Sequence, residues 1–181
     1  MAKKKILLLS DDLRMTSGIA NVSKQLVLGT VDKYDWVQLG AAIKHPEEGK
    51  RIDISADTNK FNGIEDAYVT AYPISGYGTP DLLRQLIKIE KPDAIMLFTD
   101  PRYWIWLFQH EQELRKTLPI IYLNIWDSIP YPMYNKSYYE SCDALFAISK
   151  QTDNINKWVL RPENCIAVDG YYDNNGNLVK Y

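Results

Sequence analysis

The sequence predicts an α/β fold: a Rossmann-like three-layer α/β/α sandwich around a mostly parallel sheet of about six or seven strands. Three observations carry that reading. Short, wholly apolar runs recur, at residues 6–9, 94–98 and 120–123, as strands buried on both faces require. Segments of helical period separate them. Each apolar run empties into a polar loop, and the alternation of strand and helix favours parallel pairing with helices on both faces.

The elements follow in order along the chain. Residues 6–9 form the first strand, and Ser17 caps a helix over 18–31 whose Ile19, Val22 and Leu26 share a stripe. A short polar turn leads to a second strand at 36–41. From 44 to 63 the chain is polar and turn-rich, and 51–55 is its one short strand candidate. A strand at 68–74 precedes the glycine-bearing loop 75–78, and Pro80 opens a helix over 81–90 that Pro92 stops. The strand 94–98 is followed by a helix over 104–116 with Trp104, Leu107 and Phe108 inward. After the strand at 119–123 come a short helix at 134–142 and a strand at 144–148. Ser149 then caps a last helix at 150–160, and 166–168 is a final short strand.

Composition narrows the class. With 181 residues, 46% hydrophobic and 24% charged, the chain is read as one soluble domain over 1–168 followed by a tail at 169–181. A formal net charge of -2 supplies no overall positive field, so nucleic acid is not an expected partner. Two cysteines, Cys142 and Cys165, and two histidines, His45 and His110, give neither a disulfide framework nor zinc-ligand spacing. Free thiols and solvated histidines in a reducing, cytoplasmic setting are the expectation. The apolar run at 6–9 is too short for a secretory core or a membrane span, so no transmembrane segment is expected.

In open α/β sheets ligands bind outside the carboxyl ends of the strands. That rule selects the loops 10–18, 99–103, 124–135 and 149–150. In the first, Ser17, Gly18 and Asn21 lie where free helix N–H groups favour an anion such as a diphosphate, although neither a three-glycine dinucleotide fingerprint nor a Walker lysine is present. In the third, Trp126-Asp127-Ser128-Ile129-Pro130-Tyr131-Pro132 sets an acid among aromatic and proline residues. Such a segment suits a polyhydroxylated ligand, with C–H faces on the rings and hydroxyls on the acid; it equally suits an aromatic loop packed on the sheet edge. Asp100 with Arg102 at a neighbouring strand end is either ligand-facing or a local ion pair. Tyr134, Asn135, Ser149 and Lys150 complete the candidate substrate-binding set. Trp104, Trp106 and Phe108 are read as core, not as a membrane face. No Ser-His-Asp arrangement can be assembled.

Taken in order, the strand 6–9, Ser17-Gly18-Ile19-Ala20-Asn21-Val22, Trp126-Asp127, and Cys142-Asp143 leading to Ile148-Ser149-Lys150-Gln151-Thr152 resemble a known domain. It is the N-terminal, acceptor-binding domain of GT-B-fold glycosyltransferases of the retaining, family-four-like type. The resemblance spans nearly the whole chain. It implies that Ser17, Gly18 and Asn21 face phosphate, that Asp100, Arg102, Trp126 and Asp127 line the acceptor side, and that Asp127 is the catalytic candidate. It implies no metal and no cofactor, the nucleotide sugar being a substrate. It also implies a second Rossmann-like domain or chain carrying the nucleotide-sugar site and paired glutamates, with 168–173 as the start of the crossover. The family usually has a histidine in the loop corresponding to 124–127, and this sequence has none there. The expected function is therefore the acceptor-binding half of a nucleotide-sugar-dependent glycosyltransferase. The alternative is a non-catalytic carbohydrate-binding or protein-interaction module that kept the fold. A phosphorelay receiver, prompted by Asp11-Asp12, would need a lysine after the fifth strand, where Asn124 stands.

Overall fold

A computed structural model describes residues 2–42, 44, 46–161, 170–172 and 178–180. At its centre is β1 (Lys4–Asp11), paired in parallel with β2 (Tyr34–Ala41) on one side and β5 (Ala94–Phe98) on the other. Beyond β2 lies β4 (Val69–Pro73); beyond β5 lie β6 (Ile120–Asn124) and then β7 (Ala144–Ala147), all parallel. The short β3 (Ile52–Asp53) adds one antiparallel edge, giving a seven-stranded sheet in the order β3-β4-β2-β1-β5-β6-β7. The expected α/β class and mostly parallel sheet are thus present.

Burial explains why these runs are strands. Leu7, Leu8 and Leu9 are completely buried, with Leu7 and Leu9 in one core cluster and Leu8 in the other, as the two-residue period of a strand dictates. One face is covered by α1 (Gly18–Leu28), whose Val27 packs with Leu8, Trp36, Val69 and Phe98. On the other face are α3 (Pro80–Glu90), α4 (Ile105–Gln109), α5 (Glu111–Leu114), α6 (Lys136–Glu140) and α7 (Lys150–Leu160). They contribute Leu83, Leu86, Leu107, Leu114, Tyr139, Ile155 and Val159 to the second cluster. Trp104 and Leu107 are fully buried, in keeping with the inward assignment of this segment.

The order of strands reverses between β1 and β5, which is the topological switch point of a doubly wound sheet. Phosphorelay receivers set their third strand beside the first; here β4 lies outside β2, so that alternative is excluded.

Several elements depart from the sequence expectation. The stretch 51–55 is not one strand: β3 holds two residues and runs straight into α2 (Ser55–Asn62). That helix buries only Thr58 and so leaves no apolar period to read. It is held instead by the Asp53 carboxylate accepting from the Ser55 N–H at 3.0 Å, and Gly63, at φ 66°, ends it in the left-handed conformation. The predicted helix over 104–116 is broken. A 3-10 turn at Pro101–Trp104 precedes α4, and the chain leaves helical geometry at His110 before α5. The His110 ring is half-buried, not solvated, and its Nδ1 donates to the Trp106 carbonyl at 2.8 Å. Likewise 134–142 opens with a 3-10 turn at Met133–Asn135 before α6. In the region read as a tail, β8 (Gly170–Tyr172) and β9 (Leu178–Lys180) pair antiparallel. The expected strand at 166–168, half of the crossover stretch 168–173, Cys165 and His45 lie outside the described residues. The Cys142 thiol donates to the Tyr138 carbonyl, and burial pushes its pKa up to about 12, so it stays protonated. Among the described residues no helix is long and apolar enough to cross a membrane.

Candidate functional site

Parallel strands point their carboxyl ends the same way, so the loops after β1, β4, β5 and β6 share one rim. At its centre β1 ends in Asp11, followed directly by Asp12, and both are buried. Gln38, on the neighbouring β2, fixes this turn: its amide nitrogen donates to Ser10 Oγ and to the Asp11 carbonyl, and its oxygen accepts from the Leu13 N–H at 2.9 Å. The Asp12 carboxylate is taken up by Arg14, which also pairs with Glu47. Ser17 accepts from the Ala20 N–H at 3.0 Å, as an N-cap should, and donates its hydroxyl to Asp11 Oδ2 at 2.6 Å. Gly18 faces open space, with nothing within 4 Å of where a Cβ would stand, and Asn21 is exposed on the first turns of α1.

Beside this turn, across the switch point, the end of β5 continues into Asp100. Its carboxylate accepts from the Arg102 backbone N–H at 2.9 Å and forms an ion pair with the Arg102 guanidinium. Burial opposes ionisation of Asp100, but the hydrogen bonds from Arg102 outweigh it and hold the carboxyl below its ordinary range. The Arg102 guanidinium in turn lies 5.8 Å from the centre of the Trp126 ring, a cation–π arrangement. Trp126 also meets Tyr134 edge-on at 5.8 Å and donates its indole N–H to the Ser128 carbonyl at 2.9 Å.

These groups frame an open pocket of about 200 Å³ at the ends of β5 and β6, lined by Asp100, Tyr122, Asn124, Trp126, Asp127 and Ser128 among others. Complete ligand pockets run to roughly 300–1,000 Å³, so this one seats a ring-sized group and leaves the rest of a ligand on the rim. The Asp127 carboxylate is exposed and has no side-chain partner among the described residues, while its carbonyl accepts from Gln151 of α7. The pocket is open on the Asp127 side and rigid beneath. Its floor is a buried network: Tyr122 donates to the Thr99 carbonyl at 3.2 Å, and the Asn124 amide donates to Tyr139 at 2.8 Å and to Asn156 at 2.6 Å. Such satisfied polar networks rigidify what they support.

Of the residues singled out from sequence, Asp100, Arg102, Trp126, Asp127 and Tyr134 therefore stand together. Ser17, Gly18 and Asn21 form a separate group at the start of α1, beyond β1, which neighbours β5 in the sheet. Ser149 caps α7 by accepting from the Thr152 N–H, and Lys150 is exposed beside it. Asn135 is fully buried at the base of α6, and neither atom of its side-chain amide has a hydrogen-bond partner among the described residues. It does not line the pocket.

Tyr122 and Asn124 escaped the sequence reading. Tyr122 sits inside an apolar strand, and Asn124, although it opens the selected loop 124–135, continues that strand as β6; the two-residue period that puts both on one face is the signal that could have found a polar floor. Tyr77 and Tyr103 were missed too: they stack at 4.5 Å with an interplanar angle of 9° on the β1 side of the rim. No protein-family model matches the chain, and neither a curated protein nor a solved structure does.

Proposed function

We propose that this chain is the acceptor-binding half of a nucleotide-sugar-dependent glycosyltransferase, completed by a second Rossmann-like domain or chain. The observation that carries the reading is the pocket at the ends of β5 and β6, where an indole ring, a carboxylate with no partner among the described residues and an Asp100–Arg102 pair converge. Trp126 stacks on the apolar face of an acceptor ring, and Asp127 and the Asp100–Arg102 pair hold its hydroxyls. Asp127 orients the hydroxyl that attacks the donor. Charge developing on the departing diphosphate is met by groups of the second domain. The test joins or extends the chain with that domain and measures hydrolysis and transfer over a broad panel of nucleotide sugars. Turnover that falls at least about tenfold in Asp127→Asn is expected; absence of turnover across the panel overturns the reading.

A second reading, a non-catalytic carbohydrate-binding module, is favoured by one specific observation. The Asp11 carboxylate accepts the Ser17 hydroxyl at the start of α1, so a negative charge stands beside the N–H groups that would receive a phosphate. Saccharide binding without donor turnover in the completed protein selects this reading.

A further inference from the structure

The 3-10 turn at Pro101–Trp104 sends its side chains in two directions along the rim. Asp100, just before it, lines the pocket at β5 and β6, and Arg102 leans on Trp126. The next residue, Tyr103, turns the other way and stacks on Tyr77 from the connection between β4 and α3, with ring centres 4.5 Å apart and planes within 9°.

That stack is a built surface. Tyr77 is held edge-on by the fully buried Trp104 at 5.6 Å, and its carbonyl accepts the Trp106 indole N–H at 3.2 Å. Tyr103 is 54% exposed, so a planar aromatic face that the core keeps in position remains open to solvent. Burial raises the pKa of the Tyr77 hydroxyl, and Asp11, Tyr103 and Asp100 add to it in that order, so both carboxylates lie within electrostatic reach of the stack.

We propose that the Tyr77–Tyr103 stack is a second sugar subsite, so that the rim takes an extended, neutral glycan of at least two rings instead of a single monosaccharide. The inference rests on the reading of the pocket as the acceptor site and deepens it. Adjacent residues of one turn, Arg102 and Tyr103, bound the two places, which puts them side by side on the rim within the compass of one extended glycan. An aromatic plane receives the C–H face of a sugar while flanking acids accept its hydroxyls. A nucleobase would fit the plane as well, but its phosphates would then lie among Asp11 and Asp100, with Arg102 already held by Asp100.

The test uses the 181-residue chain and two neutral glucan ladders, malto- and cello-oligosaccharides from one to six rings, followed by tryptophan fluorescence and by saturation-transfer NMR. In at least one ladder Kd falls tenfold or more between one ring and three, then levels. Tyr103→Ala removes that gain and leaves glucose binding unchanged, whereas Tyr103→Phe keeps it; thermal melts of both match the parent, since the ring is exposed. Trp126→Ala weakens every member. A Kd independent of length, or a gain that survives Tyr103→Ala, overturns the second subsite while the acceptor reading stands. Uridine diphosphate contacting Tyr103 more tightly than any glucan overturns it in favour of a nucleotide site. Failure of every ladder member to bind removes both the subsite and the acceptor pocket.

Discussion

Two glycines flank the turn after β1, and they respond to a methyl group in opposite senses. A Cβ on Gly40 would stand 3.0 Å from Asp12 Cβ and 3.1 Å from its Cα, atoms that the Arg14 and Ala41 contacts of Asp12 hold in place. Gly40→Ala should therefore destabilise the fold by about 1–3 kcal/mol, read as a lower midpoint in urea. Gly18→Ala meets nothing within 4 Å and removes backbone freedom from the unfolded chain, so it should stabilise by about 0.5 kcal/mol. A third residue, Glu90, tests burial of charge. Its side chain is 4% exposed, pairs with Lys5 at 3.2 Å and Arg51 at 3.6 Å, and accepts the hydroxyls of Tyr68 and Tyr72. Burial opposes its ionisation, but those hydroxyls and Lys5 prevail and its pKa is lowered. A carboxylate whose folded pKa is depressed stabilises above its unfolded value, about 4.3, and loses that contribution as pH falls through the folded pKa. Glu90→Ala should cost about 3 kcal/mol at neutral pH because it leaves the Tyr68 and Tyr72 hydroxyls and the half-buried Lys5 ammonium without their acceptor. The gap between parent and variant in urea melts should shrink at acid pH; a gap that widens there would contradict the assignment.

At the scale of elements, legibility followed burial. Helices α1 and α7 announced themselves through their serine caps and α3 through Pro80 and its apolar stripe; Ser17 and Ser149 do accept from the third N–H of their helices, as does Thr79 before α3. Ser17→Ala should thus lose about 1 kcal/mol, measured by chemical denaturation, and a double-mutant cycle with Asp11→Asn should show coupling through the 2.6 Å hydroxyl bond. The elements that stayed hidden lack such signals. Helix α2 is set by Asp53 before it and Gly63 after it, with no apolar face between. The break at His110 depends on a ring bonding a carbonyl four residues back, which no periodicity encodes. The pocket residues on loops were readable because an acid and aromatics after an apolar run are conspicuous. Its floor was not, since Tyr122 looks like an ordinary strand residue and Asn124 like the first residue of a loop until Tyr139 and Asn156 arrive from distant helices.

For the molecule as a whole, alternating strands and helices specified a parallel sheet, but nothing local specified that β5 would pair with β1 and not with β4. That long-range choice is what places Asp11, Asp100, Tyr103 and Trp126 along one rim, and it gives the rim its charge. Arg14 is engaged by Asp12 and Glu47, and Arg102 by Asp100. Among the described residues neither Asp11 nor Asp127 has a cationic partner. A neutral glycan meets this field without cost, whereas a glycan bearing a carboxylate or phosphate must approach against it. From about 20 mM to about 500 mM salt the screening length falls from roughly 20 Å to roughly 4 Å. The affinity of a neutral oligosaccharide should then change less than about twofold, while a uronate or phosphate analogue of equal length binds at least about tenfold more weakly at low salt and recovers as salt rises. Calorimetric titration of both ligands across that range decides the matter. Asp127→Asn should narrow the difference by removing a charge that no neighbour compensates, and an anionic analogue that binds more tightly than the neutral one at low salt would mean that the rim is not acidic where the ligand sits.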